Sequence, residues 1–139
     1  MSNLIPPHGG KGLTVCLLEG AEKEAELNKA AGLKQIEISP RVKGDLIMLG
    51  IGGFSPLNGF MTKADWKGVC ENFLTADGTF WPVPVNFDVS SDDAAAISEG
   101  DEIALYDAEG DEIMATMKVT HKWAQSADDK KWAGVKVYM

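Results

Sequence analysis

The hydrophobic period of this chain changes in its C-terminal half, near residue 80, and that change limits the folds open to it. Before it, apolar residues recur at helical spacing. Val42, Leu46 and Leu49 stand at i, i+4 and i+7, and Trp66, Val69, Cys70 and Phe73 share one helical face. After it, Trp81, Val83, Val85, Phe87 and Val89 alternate with Pro82, Pro84, Asn86 and Asp88, a period of two. Helix-period segments followed by strand-period segments call for an α+β fold.

Local signals divide the chain further. Residues 1–12 are rich in Pro and Gly and read as an irregular lead-in. Residues 13–18 read as a short strand, 21–31 as a helix of strong formers stopped at Gly32, and 35–38 as an extended piece. Ser39 before Pro40 is a helix start, an N-cap side chain followed by a residue whose missing N–H is harmless at the first helical position. Gly50, Gly52 and Gly53 end that helix. Residues 54–60 form a loop whose apolar residues alternate with turn formers, so it is expected to pack on the core. Thr62, with Asp65 three residues on, opens the next helix. The two prolines of the 81–89 strand push it to an edge or a bulge. A helical turn over 92–97, capped by Ser90 or Ser91, leads to strands at 102–106 and 112–120, joined by an acidic turn at 107–111. Residues 132–138 fit helix or strand.

One core suffices for such a chain. Its 139 residues are 45% hydrophobic and 24% charged, which supports a single domain without staples and excludes a disordered class. No apolar run approaches the roughly 20 residues of a membrane helix, and the N-terminus lacks a basic region and a sustained apolar stretch. A soluble, cytoplasmic protein is expected. Thirteen Lys and Arg stand against 21 Asp and Glu, and residues 68–117 hold twelve of the acids and none of the bases. That distribution argues against nucleic acid and anionic membranes as partners. Cys16 and Cys70 form no C-x-x-C, so neither a zinc knuckle nor a redox pair is spelled out.

Motifs for chemistry fail one by one. His8-Gly9-Gly10-Lys11 begins like the H-x-G-H of one nucleotidyl-transferring class and lacks its second histidine. His121 stands alone at the end of a strand-like segment. Gly50, Gly52 and Ser55 imitate a dinucleotide fingerprint but follow a helix, where the fingerprint needs a strand. Asp107, Glu109 and Asp111 fill positions 1, 3 and 5 of a calcium loop. Its sixth position is Glu112 instead of Gly and its twelfth Lys118 instead of Glu, which favours a solvated hairpin tip. Asp92-Asp93 and Asp128-Asp129 are neighbours in sequence and need not converge on one atom. The residues themselves assign no catalytic, cofactor-binding or metal-ligating side chain.

Three stretches together resemble one family. They are Ile38-Ser39-Pro40-Arg41 with Gly52-Gly53-Phe54-Ser55-Pro56-Leu57-Asn58-Gly59-Phe60-Met61, then Phe80-Trp81-Pro82-Val83-Pro84-Val85, then the segment from Gly100 through the hairpin. They resemble the N-terminal region of ATP sulfurylases, the sulfate adenylyltransferases. The resemblance implies a PUA-like mixed α/β pseudo-barrel with short strands, the hairpin and two or three helices. It implies a single PUA-like domain over 1–139, ending short of the family's H-P-G-V segment. The parent enzyme converts ATP and sulfate to adenosine 5′-phosphosulfate and pyrophosphate, or the reverse, using ATP and Mg²⁺. The family's Q-x-R-N-P-x-H motif belongs to a second, catalytic domain and has no counterpart here. The chain is therefore expected to be inactive alone, partnered by that catalytic domain within a homo-oligomer. A free-standing PUA-like binding module is the alternative, and a small metal-dependent hydrolase built on the acidic hairpin is a third reading.

Overall fold

A computed structural model of the protein describes residues 4–125. The expectations for residues 132–138 and for Asp128-Asp129 lie outside the described residues. Among those described, the order is α1 (Gly20–Ala30), β1 (Lys34–Glu37), α2 (Pro40–Gly50), α3 (Lys63–Asn72), α4 (Ser91–Ala96), β2 (Glu102–Asp107) and β3 (Glu112–Lys118). The fold is mixed α+β, with four helices and three strands among the described residues.

Three helix starts are made by the side chains the sequence supplies. Ser39 Oγ accepts from Val42 N with Pro40 in the first turn, Thr62 Oγ1 accepts from Asp65 N, and Ser90 Oγ accepts from Asp93 N. Each such cap is worth about 1 kcal/mol.

The sheet order is β1-β2-β3, with β1 parallel to β2 and β2 antiparallel to β3. A parallel pair needs a long crossover, and residues 38–101 supply it, carrying α2, α3 and α4. As the central strand, β2 is buried on both faces. On one face Ile103 and Leu105 join Ile36, Ile38, Val42, Ile97 and Val119 in the first core cluster. On the other, Ala104 is opposite Thr116, whose hydroxyl donates to Glu26 of α1, while Lys29 reaches Glu102. An irregularity between Leu105 and Tyr106 shifts the register before the hairpin turn. A second cluster gathers Met61, Trp66, Val69, Cys70, Trp81 and Val85, and Phe60 packs against both clusters.

Three expectations about local structure are corrected. Residues 13–18 join no strand. Cys16 N and Leu17 N donate to the carbonyls of Leu49 and Gly50, acceptors that the end of α2 leaves without intrahelical partners. Residues 81–89 are extended but form no ladder. Pro82 and Pro84 have no N–H to give, so the segment is held by Trp81 N to Phe73 O and Met61 N to Val85 O, both 2.8 Å. Trp81 and Val85 are buried while Val83 is exposed. Phe73 leaves the helical face it was assigned to, because it is the C-cap of α3 in the left-handed region at φ 57°.

Candidate functional site

The loop that carries the resemblance, residues 52–60, is held by its own polar groups. Gly52 has φ +80°, a conformation that L side chains resist, and a Cβ there would meet Val15 Cγ2 at 3.1 Å. That turn brings Ser55 inward. Its buried hydroxyl donates to Gly52 O at 2.7 Å and accepts from Thr14 N at 2.9 Å, tying the 13–18 segment to the loop. The Ser55-Pro56 peptide bond is cis. Phe54 stands edge-on to Trp81 at 5.7 Å and Phe60 lies 5.5 Å from Phe87. Phe54 and Phe60 are half-buried rather than fully enclosed. The loop contains no charged side chain for a sulfate or phosphate, so packing is its visible work.

The histidines sit in separate aromatic settings. His8 Nε2 is 2.6 Å from Phe80 O, and its ring lies 5.8 Å from that of Trp81. His121 lies 5.5 Å from Trp123. Neither is paired with a nucleophile in this geometry.

The hairpin tip is solvent-exposed over residues 108–112, as the sequence suggests, and its first carboxylate is drawn into the fold. Asp107 is buried, and its carboxylate accepts from Lys43 Nζ of α2 and from the backbone N–H groups of Glu109 and Gly110. The Lys43 ammonium holds Asp107 below the usual carboxylate range, and Lys43 is raised in turn by the same bond. Asp111 accepts from the Tyr106 hydroxyl at 2.6 Å. Two of the three calcium-loop oxygens are thus engaged within the protein. Among the described residues no group of three or more His, Cys, Asp or Glu is arranged to hold a metal ion.

An open groove of about 1190 Å³ lies between α1, the end of α2, residues 58–62 and 86–89, and β3 with its continuation to Gln125. Three of its charged side chains are engaged in the fold. Glu26 accepts from Thr116 and pairs with Lys29, Asp88 pairs with Arg41 at 2.8 Å, and Lys122 Nζ donates to the Ala94 and Ile97 carbonyls. What this groove offers is apolar surface with a polar rim.

Comparison with known proteins gives a consistent result. A family model described as a PUA-like domain matches residues 5–139. The sulfate adenylyltransferase of Desulfatibacillum aliphaticivorans is 70% identical over all 139 residues, which make up 33% of that relative. That of Desulfovibrio desulfuricans is 63% identical over 131 residues, 94% of this chain and 30% of the relative. A solved structure described as a hexameric APS kinase from Thiobacillus denitrificans matches with a TM-score of 0.77 at 30% identity, over 88% of this chain and 24% of that one. The chain spans about a third of the length of the curated relatives it matches.

Proposed function

The chain belongs to the PUA-like domain family, and from that premise we propose that it is the N-terminal, non-catalytic domain of a sulfate adenylyltransferase. The observation that carries this reading is identity of 70% sustained over every residue of the chain against a protein of that name three times as long. In the reaction a sulfate oxygen displaces pyrophosphate from the α-phosphorus of ATP, giving adenosine 5′-phosphosulfate. Mg²⁺ neutralises the phosphates in such displacements, a task that requires positioned charge. ATP and Mg²⁺ are assigned to the catalytic domain of the parent protein, and no side chain of this chain is given a catalytic role.

Within that enzyme the domain supplies scaffold. Its two core clusters are bridged by Phe60, and the uncharged loop at 52–60 is anchored by Ser55. The hexameric description of the structural neighbour supports assembly of the parent protein into a homo-oligomer. The described residues contain no helix long and apolar enough to cross a membrane, and dependence on ATP supports a cytoplasmic site of action.

The test is enzymatic. The protein encoded by the full reading frame, given ATP, Mg²⁺ and radiolabelled sulfate, should form labelled adenosine 5′-phosphosulfate. Failure to do so, with a folded protein, overturns the proposal.

A further inference from the structure

Asn58 and Gly59 leave the two groups of one slow reaction unengaged. Asn58 is exposed, and its side-chain amide has no hydrogen-bond partner among the described residues. Its main-chain carbonyl is the group in use, accepting from Cys16 Sγ at 3.7 Å. The Gly59 N–H also meets no acceptor among the described residues. The short turns of the loop close with Ser55 N on Gly52 O and Leu57 N on Phe54 O, and the next backbone bond starts at Met61 N. A Cβ on Gly59 would meet nothing within 4 Å, so the backbone there has room to move. Glycine is also the residue whose nitrogen best approaches a neighbouring side chain, because it carries no Cβ.

The chain holds its own contrast. Asp77-Gly78 has the same spacing, but Gly78 N donates to Thr75 O at 2.9 Å, and the Asp77 carboxylate accepts from the Thr75 hydroxyl and Thr79 N. Both partners of the reaction are thereby held. Of the other described asparagines, Asn28 lies inside α1, Asn72 precedes Phe73, and Asn86 precedes Phe87 and donates to Asp88.

We propose that Asn58-Gly59 is a site of spontaneous deamidation, where the loop acquires a charge that its sequence lacks. Gly59 N gives up its proton and attacks Asn58 Cγ. The N–Cγ bond forms, the Cγ–Nδ2 bond breaks, and Nδ2 leaves as ammonia with that proton. Water then opens the resulting succinimide. Opening at Cγ gives aspartate, and opening at the main-chain carbonyl gives isoaspartate, with a methylene added to the backbone. One water is consumed, one ammonia is released, and nothing is oxidised or reduced. Either product places a carboxylate on the loop at 52–60. Isoaspartate also lengthens the main chain between the Ser55 anchor and Phe60, which packs against both core clusters.

The test is to age the 139-residue chain in mildly alkaline buffer, folded and in urea. Peptide mass reports the amide-to-acid change, and methylation by an isoaspartyl methyltransferase reports isoaspartate. In the folded chain both products should accumulate at residue 58 while residue 77 forms no isoaspartate; in urea both positions should react. Gly59→Ala has room for its methyl group, so its melting should match the parent, and its conversion should be slower by about tenfold or more. Asn58→Gln, which closes its ring less readily, should also stay unmodified. Residue 58 remaining an amide in the folded chain while it converts in urea overturns the proposal. Equal isoaspartate at 58 and 77 in the folded chain, or undiminished conversion in Gly59→Ala, overturns it as well.

Discussion

Asp77 is held at a pKa of about 2, chiefly by the Thr75 hydroxyl and then by Thr79, both donating to its carboxylate. An unfolded aspartate titrates near about 3.9. The folded protein therefore binds that proton less readily, and the stabilisation is present above about pH 4 and lost as pH falls through about 2. Asp77→Asn should flatten the acid limb of a plot of denaturation midpoint against pH, and parallel limbs for the two proteins contradict this. Lys43 and Asp107 act in the same sense at two ends. Asp107 is lowered, so its contribution disappears in acid, and Lys43 is raised above 10.5, so its contribution disappears in strong alkali. Asp45 has the opposite sign, because burial raises its pKa despite Arg41, and its charged form is the one that folding disfavours. Space decides the helix glycines. A Cβ on Gly68 would lie 2.4 Å from the Leu74 carbonyl oxygen, whereas one on Gly44 meets nothing within 4 Å. Denaturation should show Gly68→Ala destabilising by about 1–3 kcal/mol and Gly44→Ala stabilising by up to about 1 kcal/mol. Equal effects at both positions contradict the packing described.

At the scale of elements, the sequence was most readable where one local signal sufficed. Ser39-Pro40, Thr62 and Ser90 mark three helix starts because a cap needs only its own side chain and the next turn. The hairpin of β2 and β3 was equally plain from alternation around a turn. Residues 13–18 and 81–89 also have strand periodicity, but the ladder bonds of a strand come from a partner, and each found a different one. The ion pair of Asp107 was not legible for a similar reason, since Lys43 lies far away in sequence and only the tertiary fold brings it near. The packed loop was legible in its alternation of apolar and turn residues, although not the extent of its burial. Phe60 touches both core clusters and Phe54 only the second. Phe60→Ala should accordingly cost about 2–3 kcal/mol, below the 3–5 of a fully buried phenylalanine, and Phe54→Ala less. A loss under about 1 kcal/mol at Phe60, the level of a surface change, contradicts its role as the bridge.

For the whole molecule, composition excluded classes without selecting one. The concentration of twelve acids and no bases in residues 68–117 bears on solubility and partners, and it has no bearing on the α+β layout. The resemblance was carried by a string of glycines and apolar residues that pack a loop, which says nothing about how a reaction would proceed. The sequence offered no chemical motif from which a site could be read. The loop has no charge, Asp107 and Asp111 of the hairpin are engaged by Lys43 and Tyr106, and the two histidines face aromatic rings. The central claim is that this chain is scaffold for chemistry carried out by another domain. The most direct test is sulfate-dependent pyrophosphate release from ATP and Mg²⁺ by the purified 139-residue chain. The account predicts a rate equal to the blank without protein; a sulfate-dependent rate above that blank contradicts it.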